Sequence, residues 1–119
     1  MKEQIKQRTK QAAVRVARLC AKLPRNVASY AYSSQVIRSS SSVGANYRAA
    51  CLAKSTKDFI NKLKIVEEES DETIYFLELI KEVFQIHDDE IVFLIKEYNE
   101  ILAIIISSIK TVKVNQAKR

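Results

Sequence analysis

The chain has 119 residues, a formal net charge of +6, and a single Gly and a single Pro. That length suits one domain that can bury a core without disulfide or metal staples. The scarcity of turn formers beside abundant Lys, Glu, Ile, Ala and Leu argues against a hairpin-rich β fold. Cys20 and Cys51 have no second Cys or His at a metal-ligand spacing, so they suggest neither a zinc site nor a disulfide framework and read as buried, inert thiols.

The charge is segregated along the chain. Residues 1–64 carry fourteen Lys/Arg against two acids, residues 65–100 carry two against twelve, and residues 101–119 carry four against none. Separate basic and acidic surfaces follow, fitting a polyanionic partner, an oligomer that pairs opposite patches, or both. The opening, MKEQIKQRTKQ, has no apolar signal segment, and the run from Ile101 to Ile106 is far too short for a membrane span. The expected location is the cytoplasm, without membrane association.

A first helix is predicted over about residues 2–22, where Ile5, Ala12, Val16, Leu19 and Leu23 recur at helical spacing before Pro24 stops it. Its cations Lys6, Lys10, Arg15, Arg18 and Lys22, followed by Arg25, meet no acid after Glu3. Without i,i+4 carboxylates they repel one another unless an anion or an acidic neighbour compensates. A second helix, about 28–54, carries Ala31, Val36, Val43, Ala50 and Leu52. Its centre, Ser39 to Ser42 and then Gly44, forms helix poorly but lets a neighbouring helix come close.

Ser55 and Asp58 have capping-box spacing ahead of a third helix, about 56–86, with a stripe of Phe59, Leu63, Val66, Thr73, Leu77, Ile80 and Phe84 broken at Ser70. Asp88 and Asp89 can cap a fourth, about 89–112, whose core stripe is Ile91, Leu94, Tyr98, Ile101, Ile105 and Val112. Residues 113–119 are expected to fray. A second apolar stripe on the fourth helix, Val92, Ile95, Leu102, Ile106 and Ile109, exceeds what one core absorbs and is the expected oligomer interface. Four helices joined by short loops make one domain over residues 1–119: an all-α, antiparallel up-down-up-down four-helix bundle.

The segments Ser34-Gln35-Val36-Ile37-Arg38-Ser39-Ser40-Ser41-Ser42-Val43-Gly44-Ala45-Asn46, Lys54-Ser55-Thr56-Lys57-Asp58-Phe59 and Glu69-Ser70-Asp71-Glu72-Thr73 resemble the four-helix-bundle family of 23S ribosomal RNA intervening-sequence proteins, over about residues 5–112. The resemblance implies a ring-shaped homopentamer. It also implies kinship with accessory proteins of diversity-generating retroelements, which bind a reverse transcriptase and nucleic acid. Gly44 stands where the family often has Pro, and Ala49 where it often has an acid. Arg48 instead adds positive charge next to Asn46.

Folding about Ser55 brings Arg38 level with Asp71 or Glu72, so a structural ion pair that fixes the register of helices two and three is expected, with a phosphate contact by Arg38 as the alternative. Glu67, Glu68, Glu69, Asp71 and Glu72 have no histidine at metal-site spacing and read as a solvated acidic face. His87, the only histidine, follows Lys81, Glu82 and Val83, so the Arg-then-His motif of small helical ribonucleases is missing. No Gly-rich phosphate loop or nucleophile elbow occurs.

The expectation is a non-enzymatic protein without cofactor or metal. It would bind RNA or single-stranded nucleic acid through Arg15, Arg18, Lys22 and Arg25, with Arg48 as an addition. Helix one has no aromatic residue to stack a base, and Tyr30 and Tyr32 are the nearest candidates. The competing expectation is an adaptor whose basic and acidic faces serve self-assembly or a protein partner.

Overall fold

A computed structural model describes residues 1–118. It holds four helices in order: α1 Lys2–Ala21, α2 Val27–Cys51, α3 Thr56–Val83 and α4 Asp89–Ala117. They pack as an antiparallel bundle in which α1 touches α2 and α4, and α3 touches α2 and α4. The bundle is 54 Å long and 21 Å across in both other directions.

Local chemistry fixes each end. After α1, Leu23 tucks its side chain into the core and donates its N–H to the Cys20 carbonyl at 3.2 Å, and Pro24 follows. Asn26 and Ser29 then form a reciprocal capping box, each side chain accepting from the other's backbone N–H, at 2.9 and 3.1 Å. α2 stops at Cys51, three residues before the expected end, because Leu52 and Ala53 already turn back on the Ala49 and Ala50 carbonyls.

Ser55 caps α3 by accepting from the Asp58 N–H at 3.0 Å. α3 ends at Val83 and not at Ile86. Gln85 takes a left-handed φ of 52°, and the Ile86 N–H reaches the Lys81 carbonyl at 3.0 Å, closing a Schellman-type turn. Asp88 caps α4 through the Ile91 N–H. The tail expected to fray from residue 113 is instead helix through Ala117, and Arg119 lies outside the described residues.

The fully buried centre comprises Val16, Val36, Val43, Leu63, Val66, Leu77, Ile80, Ile91, Leu94, Tyr98, Ile101 and Ile105. Two positions on α2 depart from the expected stripe. Ala31 and Leu52 are exposed, while Ser29, Ser39, Ser40 and Tyr47 are buried. The serines fit because they satisfy themselves locally, Ser39 and Ser40 donating to the Val36 and Ile37 carbonyls at 3.3 and 3.2 Å. The Thr73 hydroxyl of α3 sits 2.8 Å from Ser39 Oγ, so a polar layer crosses the core. Ser70, the break in the α3 stripe, is buried with the rest.

On α4 the pattern needs two corrections. Ile109, expected at an oligomer interface, is a core residue at 6% exposure, and Val112 is only half-buried. The helix turns slowly relative to a strict heptad, so the face that starts on Ile91 and Leu94 has rotated onto Ile109 by the last turns.

Candidate functional site

α1 carries cations on two flanks, and the flanks behave differently. Towards α4, Arg8 donates from Nε and Nη2 to the two Glu97 oxygens at 3.0 and 2.6 Å, with Glu100 at 3.6 Å. These hydrogen bonds to Glu97 hold the Arg8 guanidinium pKa above its ordinary value, against the pull of partial burial. One heptad further, Arg15 donates to Glu90 from Nε at 3.1 Å and also from Nη2. Its guanidinium lies 3.9 Å from the centre of the Phe93 ring. Arg15, expected among the nucleic-acid contacts, is thus occupied within the chain, and Arg8, which the sequence pattern did not single out, joins it in the same seam.

Between α2 and α3, Arg38 donates to Glu69 at 3.2 Å and to Glu72. The expected ion pair is formed with Glu72, but Asp71 takes no part. Asp71 points to solvent, and Glu69, one turn before Thr73, faces Arg38 in its place. Glu69 is the more enclosed carboxylate. Burial pushes its pKa up, with Arg38 opposing.

Five further cations of α1, α2 and the loop between them are bare. Among the described residues Lys10, Arg18, Lys22, Arg25 and Arg48 are exposed and form no ion pair, while Lys6 reaches only Glu3 on its own helix at 3.1 Å. Lys10, Val14 and Arg18 follow at intervals of four along α1, whereas Lys22 comes seven residues after Arg15.

A groove of about 530 Å³ runs between α1 and α2, with Lys6, Lys10 and Arg48 on its rim and Ala13, Val14, Gly44 and Ala45 along its length. Gly44 explains the depth. A Cβ there would come within 3.3 Å of Thr9 Oγ1, which is itself held by the Ile5 carbonyl at 2.9 Å, so the two helices approach as the small-residue run suggested. Ile37, 38% exposed, and Tyr30, 62% exposed, continue the same face of α2 towards the loop that bears Lys22 and Arg25.

Other candidates are less available. Tyr32 is half-buried, its ring 6.4 Å from that of Phe76. Cys20 and Cys51 are half-buried free thiols and not fully buried ones, and burial pushes the Cys20 thiol up. His87 is exposed. Of the residues expected at an oligomer interface, Val92 is exposed and Ile95, Leu102 and Ile106 are half-buried. No three His, Cys, Asp or Glu side chains among the described residues converge as metal ligands would.

The family model of the 23S rRNA-intervening sequence protein matches residues 1–107. The chain belongs to that family. Among solved structures it is similar to a protein of unknown function from the S23 ribosomal protein family of Bacteroides thetaiotaomicron. The two share 35% identity, with a TM-score of 0.78 over 89% of this chain and 98% of that one. No curated protein matches. Membership of the intervening-sequence family therefore carries the all-helical fold, and the chemistry must be argued from the groove and its cations. No helix of the described residues is long and apolar enough to cross a membrane.

Proposed function

We propose that this intervening-sequence family member is a non-enzymatic cytoplasmic bundle that self-assembles and binds RNA or single-stranded nucleic acid along the α1–α2 face. One observation carries the reading. α1 sends Arg8 and Arg15 to carboxylates on α4, yet Lys10 and Arg18 of α1, Lys22 and Arg25 after it and Arg48 of α2 form no ion pair among the described residues, and Lys10 and Arg48 flank an open groove. Bare cations in a row repel each other, and a phosphodiester chain relieves that repulsion while releasing counterions. The family resemblance makes a homopentamer the assembly expected. A ring would repeat the face and convert weak contacts into avidity.

A filter-binding titration across salt concentrations tests this. Replacing Lys10, Arg18, Lys22 and Arg25 together by Gln should weaken binding and flatten the salt slope by about 0.7 for each phosphate no longer neutralised. Arg15→Gln, which removes a cation already neutralised by Glu90, should leave the slope unchanged. Equal affinity and slope for wild type and the fourfold variant exclude this face.

A second reading, an adaptor whose faces serve self-assembly or a protein partner without nucleic acid, is favoured by the exposure of Glu68, Asp71, Glu78 and Glu82 on α3, the helix that packs against α2 and α4. A basic face docking on the acidic face of the next copy is a heterologous contact, the kind that closes rings. Light scattering with and without RNA separates the two, since a particle that forms alone and takes up no RNA at low salt supports the adaptor.

A further inference from the structure

We infer that Tyr30 is a stacking platform for an unpaired base and gives the α1–α2 face a preference for single strands over duplex. The inference rests on the nucleic-acid reading above and names the form of its ligand. Tyr30 is 62% exposed, and among the described residues its ring has no aromatic partner, whereas Tyr32 and Tyr75 each pack against Phe76. Its backbone is held firmly. It lies in the first turn of α2, its N–H is bonded to the Asn26 carbonyl at 3.1 Å, and the Asn26–Ser29 capping box fixes that turn.

Tyr30 therefore has a set place on α2, seven residues before Ile37 and fourteen before Gly44 on one helix face, and follows the loop that holds the bare cations Lys22 and Arg25. Phosphate-binding cations beside a rigid, exposed aromatic are what sequence-tolerant single-strand binding needs. Every base offers a π face, but in a duplex those faces are already taken by neighbours.

Fluorescence anisotropy with a labelled single-stranded oligoadenylate RNA and a duplex RNA of equal length, at one salt concentration, tests this on the full chain. Wild type should prefer the single strand. Tyr30→Ala should lower single-strand affinity on the order of 10-fold and leave duplex affinity unchanged, while Tyr30→Phe should keep the preference. Equal loss for both ligands, or loss for neither, overturns the stacking role. The fourfold Gln variant, run alongside, separates the two ideas. If it alone loses binding, the basic face stands and the platform falls, and if it too is unchanged, the basic face falls as well. A Tyr30→Ala protein that dissociates in light scattering would mark Tyr30 as a subunit contact and likewise overturn the proposal.

Discussion

Arg8 and Glu97 form a two-point hydrogen-bonded ion pair between α1 and α4, bridging residues 89 apart in the chain. The Glu97 side chain is 12% exposed and that of Arg8 33%, so loss of Glu97 leaves a partly enclosed guanidinium with only Glu100 at 3.6 Å. Glu97→Ala should destabilise the fold by about 1 to 3 kcal/mol. Arg8→Met, which keeps the packing but leaves the more enclosed Glu97 carboxylate unpaired, should cost at least as much as Glu97→Ala. Urea denaturation of both variants and of the double variant measures the coupling, and zero coupling would reduce the pair to a geometric coincidence.

Leu77 is fully buried where α3 meets the rest of the core. Leu77→Ala should cost about 2 to 5 kcal/mol. Ile109→Ala should fall in the same range, because Ile109 is packed inside the subunit. A loss of under about half a kcal/mol at Ile109, combined with weakened self-association, would return it to the interface that its place in the second apolar stripe suggests.

Tyr98 is the largest side chain fully buried, and its hydroxyl has no hydrogen-bond partner. Burial pushes the phenol's pKa up. Ser40 lies near enough to act the other way, but its own hydroxyl donates to the Ile37 carbonyl. Tyr98→Phe should therefore be neutral or stabilising by up to about 1 kcal/mol, since it removes a desolvated group and keeps the ring. A loss above about 1 kcal/mol would show that the hydroxyl is bonded in solution.

Gln85 holds a left-handed conformation that a Cβ disfavours. Gln85→Gly should raise stability by up to about 1 kcal/mol, and Gln85→Val should lower it by more than that. Thermal melts of the two variants check the sign.

Glu69 gives a pH signature. Its carboxyl pKa is raised above the ordinary glutamate value, chiefly by burial, so the folded chain holds that proton more tightly than the unfolded one. The stabilising contribution is complete below the unfolded value and is lost as pH rises through the folded value. Wild type should accordingly lose ground to Glu69→Gln as pH climbs above about 4.3, the value of an unperturbed glutamate, read as the difference in urea midpoints at fixed ionic strength. A constant difference would place Glu69 in water.

The helices and their order were legible because the apolar spacing of Leu63, Val66, Leu77 and Ile80, or of Ile91, Leu94, Tyr98 and Ile101, has one periodic solution. The charge pattern was legible only in part. Arg38 was paired correctly with Glu72 because a tight turn at Ser55 sets the register of consecutive helices. Arg8 and Arg15 were not paired because α1 and α4 are joined by no loop. Yet a signal existed: Arg8 and Arg15 are separated by seven residues, as are Glu90 and Glu97, which matches two antiparallel helices in register. Ser29, Ser39 and Ser40 escaped the core reading because residue type cannot show that their hydroxyls are satisfied within α2.

Charge placement has a consequence before any contact is made. Arg8 and Arg15 are cancelled by α4, Lys10 and Arg48 are bare beside the α1–α2 groove, and exposed acids lie on α3. Part of the molecule's charge asymmetry therefore runs across the bundle, from α1 to α3. In the field of a polyanion such a body feels a torque as well as an attraction, and it turns its basic long edge inward while still diffusing. Association should be faster, and fall more steeply with ionic strength, than for a bundle of equal net charge spread evenly over its surface.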